Sequence, residues 1–210
     1  MTEKTDMAGK PRRRRKDARP GEIIEAGIQE FSVNGFDATR LDDVAKRAGI
    51  AKGTIYRYFD SKEALFEAAV RSRLMPTLDH LETMLETFPG SSEDLLKLIF
   101  RQVHTQIVQS NARLLLRIIV AEGARFPAIT EFYYRDLVSK GERVLQLIVD
   151  RGIARGEFSA GPVLKVPVVL MAPAIVAAFW RLTFEPYHKI EAGDFLDAHI
   201  DVVLNGIRKR

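Results

Sequence analysis

Residues 35–65 read GFDATRLDDVAKRAGIAKGTIYRYFDSKEAL, and this stretch decides the fold. Leu41, Val44, Ala45 and Ala48 recur at helical spacing and stop at Gly49, which predicts a short helix. Thr39 and Asp42 suit its N-cap and N3 positions, close to a capping box. After the tight turn Ala48-Gly49-Ile50-Ala51, Lys52 to Phe59 forms a third short helix. Asp60-Ser61 can cap a longer helix that starts at Lys62. Upstream, Ile24, Ile28 and Phe31, with Ile23 alongside, stripe a first helix from Pro20 to the helix-ending pair Asn34-Gly35. Two short helices around a Gly-containing turn fit the helix-turn-helix pattern, and pattern alone fits three short helices of a small bundle equally well.

The third helix separates its chemistry by face. At about 100° per residue, Ile55 and Phe59 project together and must point into a small core. Opposite them lie Arg57 and Gly53, with Thr54 beside them. Lys52 and Tyr56 share one flank and Tyr58 takes the other. A guanidinium, a hydroxyl, two phenols, an ammonium and a bare backbone suit a helix lying in a major groove. Arg57 has the geometry to read guanine O6/N7, while Lys52, Tyr56 and Tyr58 can hold phosphates. Gly53 lets the backbone approach a phosphate or base edge closely. The plain alternative is a solvated polar face carrying two exposed tyrosines.

Gly35-Phe36, Ala38-Thr39, Asp43-Val44-Ala45, Ala48-Gly49, Lys52 to Phe59 and Ser61 to Leu65 stand at the spacing of a known signature. The stretch closely resembles the N-terminal signature of TetR/AcrR-type transcriptional regulators, over about residues 20–66. The resemblance implies phosphate contacts for Thr39, Tyr58 and Lys62, and a groove-facing set of Lys52, Gly53, Thr54, Tyr56 and Arg57. Ala51 departs from the pattern, standing where the family usually has Ser or another polar residue. That loses a side-chain cap of about 1 kcal/mol.

Composition sets the outer limits. The chain has 210 residues, 46% hydrophobic and 29% charged, which excludes a disordered chain, a collagen-like repeat and a disulfide scaffold. Its net charge of +4 is unevenly placed. Residues 1–20 hold eight basic and three acidic side chains, so the remaining chain is close to neutral. The run Arg12-Arg13-Arg14-Arg15 lies in a polar segment, residues 1–19, expected to be a disordered basic arm. It reads either as an arm adding phosphate or minor-groove contacts to DNA or as a solubilising extension. The absence of cysteine removes thiolate nucleophiles and cysteine-ligated metal sites. His80, His104, His188 and His199 show no metal-type spacing, and no P-loop, GxGxxG or GxSxG is present. Glu22/Glu25 and Asp42/Asp43 read as solvated carboxylates. No catalytic residue, metal or cofactor is expected. The apolar stretch Val163 to Phe184 is interrupted by Lys165, Pro167, Pro173 and Arg181, too broken for a membrane span. A cytoplasmic protein without a membrane partner is expected.

Beyond residue 62 every segment reads as helix: about 62–87, 92–109, 111–124, 127–154, 163–184 and 194–208. The expected fold is all-α with about nine helices. A three-helix helix-turn-helix domain (20–66) precedes a larger helical ligand-binding and dimerisation domain (67–210). By the resemblance the last two helices form a homodimer interface, with the stripe Leu196, Ile200, Val203 and Ile207 together with Val169 and Ala177 as its expected residues. The plain alternative is a monomer whose final helices only complete the core. By the resemblance the middle helices enclose an effector pocket, with Phe100, His104, Arg117, Glu122, Tyr133, Tyr134 and Trp180 as candidate lining groups. Each of these also fits plain core or surface. The expected function is a ligand-responsive regulator, a repressor released from a palindromic operator in double-stranded DNA by a small apolar or aromatic effector. The alternatives are a ligand-independent architectural DNA binder and an all-α enzyme using the C-terminal pocket.

Overall fold

The computed structural model describes residues 14–209, and only the backbone of 14–19 and 86. The N-terminal segments are α1 (Arg14–Ala38), α2 (Leu41–Arg47), α3 (Lys52–Ile55), α4 (Lys62–Arg73) and α5 (Met75–Thr87). They are followed by α6 (Ser92–Val103), α7 (Arg113–Glu122), α8 (Pro127–Tyr133), α9 (Ser139–Ala154), α10 (Ala172–Thr183) and α11 (Ala192–Ile207). α4 meets α5 at Leu74, and α8 runs into α9 through a π-helical turn, Tyr134–Val138. The described residues therefore form nine helical rods and no β-strand. No helix among them is long and apolar enough to cross a membrane.

The boundaries differ from the sequence expectation in three places. α1 begins at Arg14 and continues through Pro20, which was expected to start it. Arginine, lysine and alanine are good helix formers, and the segment tolerates the loss of the one hydrogen bond that Pro20, without an N–H, cannot donate. Arg14 and Arg15 thus open α1, while Arg12, Arg13 and the rest of residues 1–13 lie outside the described residues. α3 is a single turn that loosens after Ile55, though Phe59 N–H still donates to Ile55 O at 2.9 Å. The stretch 163–184 is not one helix. Two 3₁₀ turns, Pro162–Lys165 and Pro167–Met171, precede α10. Pro167 holds Val166 out of helical geometry (φ −135°, ψ 70°), so the regular helix starts only after the prolines have been passed.

α1, α2 and α4 bury Ile28, Phe31, Phe36, Val44 and Phe66 around Ile55. This core does not close on itself. Leu115 and Ile118 of α7, with Ile129 and Phe132 of α8, belong to the same apolar cluster, and Phe36 stacks edge-on against Phe126 at 5.0 Å. The expected boundary at 66/67 falls inside α4 and inside this continuous core. A second core packs α6, α9 and α11 through Leu95, Ile99, Ile148 and Leu204. A third, smaller one sets Ala174, Ala177 and Ala178 of α10 against Val108.

Candidate nucleic-acid interface

The site begins with the turn that orients α3. Gly49 has φ 66°, a left-handed conformation that ends α2 and lets Ile50 N–H return to Ala45 O. Ile55 is then fully buried under α3, which fixes the opposite face outward. Lys52, Gly53, Tyr56, Arg57 and Tyr58 are all exposed, and Thr54 is half-buried beside them. A Cβ built on Gly53 meets nothing within 4 Å, so the backbone there is open to close approach. Tyr56 and Tyr58 remain 45% and 37% exposed, unusual for rings that a core would accept. Ala51 supplies no side-chain cap to α3.

One carboxylate organises this face. Asp42 accepts from Lys52 Nζ at 2.7 Å and from Tyr56 Oη at 3.2 Å. The Lys52 hydrogen bond holds the Asp42 carboxyl below its usual range, and Asp42 in turn raises Lys52. Both groups are well solvated, so their ion pair orders the side chains more than it stabilises the fold. Asp42 was expected to be merely solvated. Its role was not legible because the partner on α3 is ten residues away, across a turn. α2 itself is clamped to α1 by Arg47 Nε on Glu30 at 2.7 Å, with Asn34 donating to the same carboxylate.

Two expected phosphate contacts are engaged elsewhere. Thr39 is buried and donates its hydroxyl to Gly35 O at 2.6 Å, closing the end of α1. The residue preceding α2 is Arg40, without a side-chain cap, so the expected capping box is not formed. Lys62 Nζ donates to Phe36 O at 2.9 Å and Asp37 O at 2.6 Å, serving the carbonyl end of α1. The sequence places both residues at the right helix starts, but the kink at Gly35 brings free carbonyls to them first.

The expected interface stripe is also corrected. Ala177, Val203 and Ile207 are buried within the protomer, and Leu196 and Ile200 pack against the same core as Val203 and Ile207. The amphipathic stripe of α11 faces its own α6. Val169 stays exposed, and the exposed apolar groups nearby are Ile175, Val176 and Phe179 of α10 and Val202 of α11. Of the candidate ligand residues, His104 and Trp180 line one small cavity. Phe100 is core and stacks on His199 at 4.1 Å, and Tyr133 is buried in the N-terminal core. Arg117 is exposed and donates to Ser32 O at 2.6 Å, Glu122 pairs with Arg125, and Tyr134 is exposed. Among the described residues no group of three or more His, Asp or Glu side chains is placed to hold a metal ion.

A buried Ile55 beneath an exposed cation-and-phenol face, on a helix turned out from α2 at Gly49, defines the helix-turn-helix class. Residues 23–69 match the family model of bacterial regulatory proteins, tetR family. The chain is 26% identical to the HTH-type transcriptional repressor KstR2 of Mycolicibacterium smegmatis over 194 residues, 90% of this chain and 91% of that one. It is 41% identical to the uncharacterized HTH-type transcriptional regulator YvdT of Bacillus subtilis over 63 residues, 30% of this chain and only 32% of that protein's length. The transcriptional regulator FadR from Bacillus subtilis, in complex with stearoyl-CoA, has the same fold. Its TM-score is 0.72 at 18% identity, covering 90% of this chain and 99% of that one.

Proposed function

We propose that the protein is a dimeric transcriptional regulator that binds an operator through α3 and leaves it when a small molecule occupies the C-terminal helices. The observation that carries this reading is the face of α3, where Lys52, Gly53, Tyr56, Arg57 and Tyr58 are exposed together on a domain of the tetR family. Arg57 reads a guanine edge while Lys52 and the two phenols hold phosphates. The basic residues Arg12 to Arg15 lie at the N-terminal side of this domain and extend the phosphate contacts. Repression is the mode supported by the name of the relative matched along most of the chain.

The dimer is formed by the outward face of α10 and α11, where Ile175, Val176, Phe179 and Val202 leave an apolar surface uncovered. Two α3 helices then reach successive major grooves about 34 Å apart, which makes the operator a palindrome. The helices α1 to α4 serve DNA, and those from α5 onward serve dimerisation and ligand. The stearoyl-CoA complex of FadR supports an effector that carries a long apolar chain. α7 provides the route between the two functions. It packs on both α1 and α10; Arg117 ties it to Ser32, and Arg125, just beyond its end, pairs with Asp37. An effector acts only through unequal affinity for the DNA-fitting and DNA-releasing arrangements.

The test is selection of bound fragments from genomic DNA, followed by gel shift with the full-length protein. A regulator retains a palindromic sequence. Retention of DNA without sequence preference indicates an architectural binder, and no retention together with turnover of a C-terminal ligand indicates an enzyme. Either outcome contradicts the proposal.

A further inference from the structure

The buried pair His104–His199 has only one consistent proton arrangement. His199 Nε2 lies 2.8 Å from Leu170 O, which can only accept, so Nε2 carries the proton and Nδ1 is a bare acceptor. His104 Nε2, 3.2 Å from that Nδ1, must then be the donor. This leaves His104 Nδ1 a buried lone pair with no donor among the described residues. Such an atom is costly unless something supplies its hydrogen bond.

His104 also opens the π-helical turn His104–Val108, an interruption of the regular ladder that often accompanies a site. With Val108, Ala177, Trp180, Arg181 and Phe195 it lines a cavity of about 10 Å³, the space of a single water, so any larger group must open it. Beside it, Nε of Arg181 and Nε of Arg113 are buried without an acceptor. Arg181 gives an amino group to Glu185 at 3.1 Å, and Arg113 gives one to Ser110 O at 2.6 Å. Only Arg181 of the two is ion-paired with a carboxylate. Burial first, and then the charge of Arg181, hold Arg113 below the usual arginine range.

We propose that this cavity receives the carboxyl group of an apolar monocarboxylic acid, one oxygen accepting from Arg181 Nε and the other sharing a proton with His104 Nδ1. The proposal deepens the ligand-responsive reading above and rests on it. The acid enters by displacing the side chains that line the cavity, Trp180 and Phe195 among them, and its apolar body packs against them. The charged and titratable groups facing His104 are His199 from α11 and Arg181 from α10, with Arg113 of α7 and Glu185 behind Arg181. Burial holds His104 neutral, pushed down to about 4. An ionised acid therefore takes up one proton from solvent on binding, and that proton sits between its oxygen and Nδ1. Arg113 also starts α7, whose Arg117 touches α1, so the site lies at one end of the route to the DNA-binding helices.

Trp180 lines the cavity and is the only tryptophan of the chain, so its fluorescence reports filling. The full-length protein is titrated with decanoate and phenylbutyrate, each beside the matching alcohol and methyl ester. At least one acid changes the emission saturably and binds about tenfold or more tightly than its alcohol and ester. Arg181→Gln weakens that acid about tenfold and leaves the alcohol unchanged; Arg113→Gln weakens it in the same direction. Calorimetry at neutral pH in two buffers of different ionisation enthalpy shows uptake of about one proton. Equal binding of acid and alcohol, no response to either acid at millimolar concentration, or an unaffected Arg181→Gln variant overturns the proposal. DNA binding is measured separately. A specific DNA complex without acid binding at Trp180 sinks this inference alone, and acid binding without a specific DNA complex sinks the regulator reading alone.

Discussion

Replacing Gly35 with alanine should cost the fold about 2 kcal/mol, and asparagine should bring no relief. Gly35 has φ 78° and ψ 165°, a region open to glycine and distinct from the left-handed helical basin that asparagine tolerates. An L residue there costs on the order of 1–3 kcal/mol. A Cβ would also stand 3.3 Å from Glu122 Oε1, a contact the end of a flexible side chain relieves by moving. The backbone therefore dominates the loss. In a chain of this size each kcal/mol moves Tm by about 2–4 °C, so both variants should melt about 4–8 °C below the parent. Thermal unfolding followed by circular dichroism, with a urea titration to confirm an unchanged m-value, measures it. An alanine variant that melts with the parent would refute the reasoning. So would an asparagine variant that recovers most of the loss, because it would mean that the residue sits in the ordinary left-handed basin.

Asp42→Asn frees Lys52 and Tyr56 from their shared carboxylate. It should tighten DNA binding for all sequences by removing a negative charge beside the phosphate-holding Lys52, most visibly at low salt; unchanged affinity at low salt contradicts this. His104 is held neutral in the fold at about 4, below the usual 6.5, and His199 is lowered in the same direction. The unfolded chain therefore binds more protons between those values. Stability is fully present above pH 6.5 and falls as pH drops toward 4, by up to about 1.4 kcal/mol per pH unit for one such group. Urea midpoints from pH 6.5 to 5 should fall less steeply in His104→Phe than in the parent, and equal slopes would remove His104 from the account. Arg117→Ala removes the hydrogen bond from α7 to Ser32 and should keep operator binding while blunting release by the effector. Release at the parent's effector concentration would show that this contact carries no coupling. Phe179→Glu places a charge in the uncovered face of α10 and should yield a monomer by light scattering, whereas an intact dimer would place the interface elsewhere.

The helix pattern was legible where local rules suffice. Gly49 ends α2, Ser61 accepts from Ala64 N–H at 3.1 Å to cap α4, and the buried Ile55 fixes which side of α3 looks outward. Each of these is a choice made within a few residues. The prolines before α10 are legible as interruptions, and their reach extends to Val166, because a proline restricts the residue before it as well as lacking its own N–H. The stripe of α11 is legible in phase but not in partner. A stripe such as Leu196, Ile200, Val203 and Ile207 announces burial but not which partner buries it, and α6 of the same chain does so. Thr39 and Lys62 show the limit for sites. Their places in the sequence suit phosphate contacts, but free carbonyls created by the Gly35 kink reach them first. His104 and His199 are 95 residues apart, and nothing local in either segment announces the other.

The most direct test of the central claim is fluorescence anisotropy with the selected operator and a scrambled duplex, for the parent and Arg57→Ala. The account predicts a salt-sensitive, sequence-specific complex for the parent. For Arg57→Ala it predicts a loss of about tenfold or more on the operator, with little change on the scrambled duplex. Equal binding of both duplexes by the parent, or full operator affinity in Arg57→Ala, would contradict the assignment of α3 as the reader.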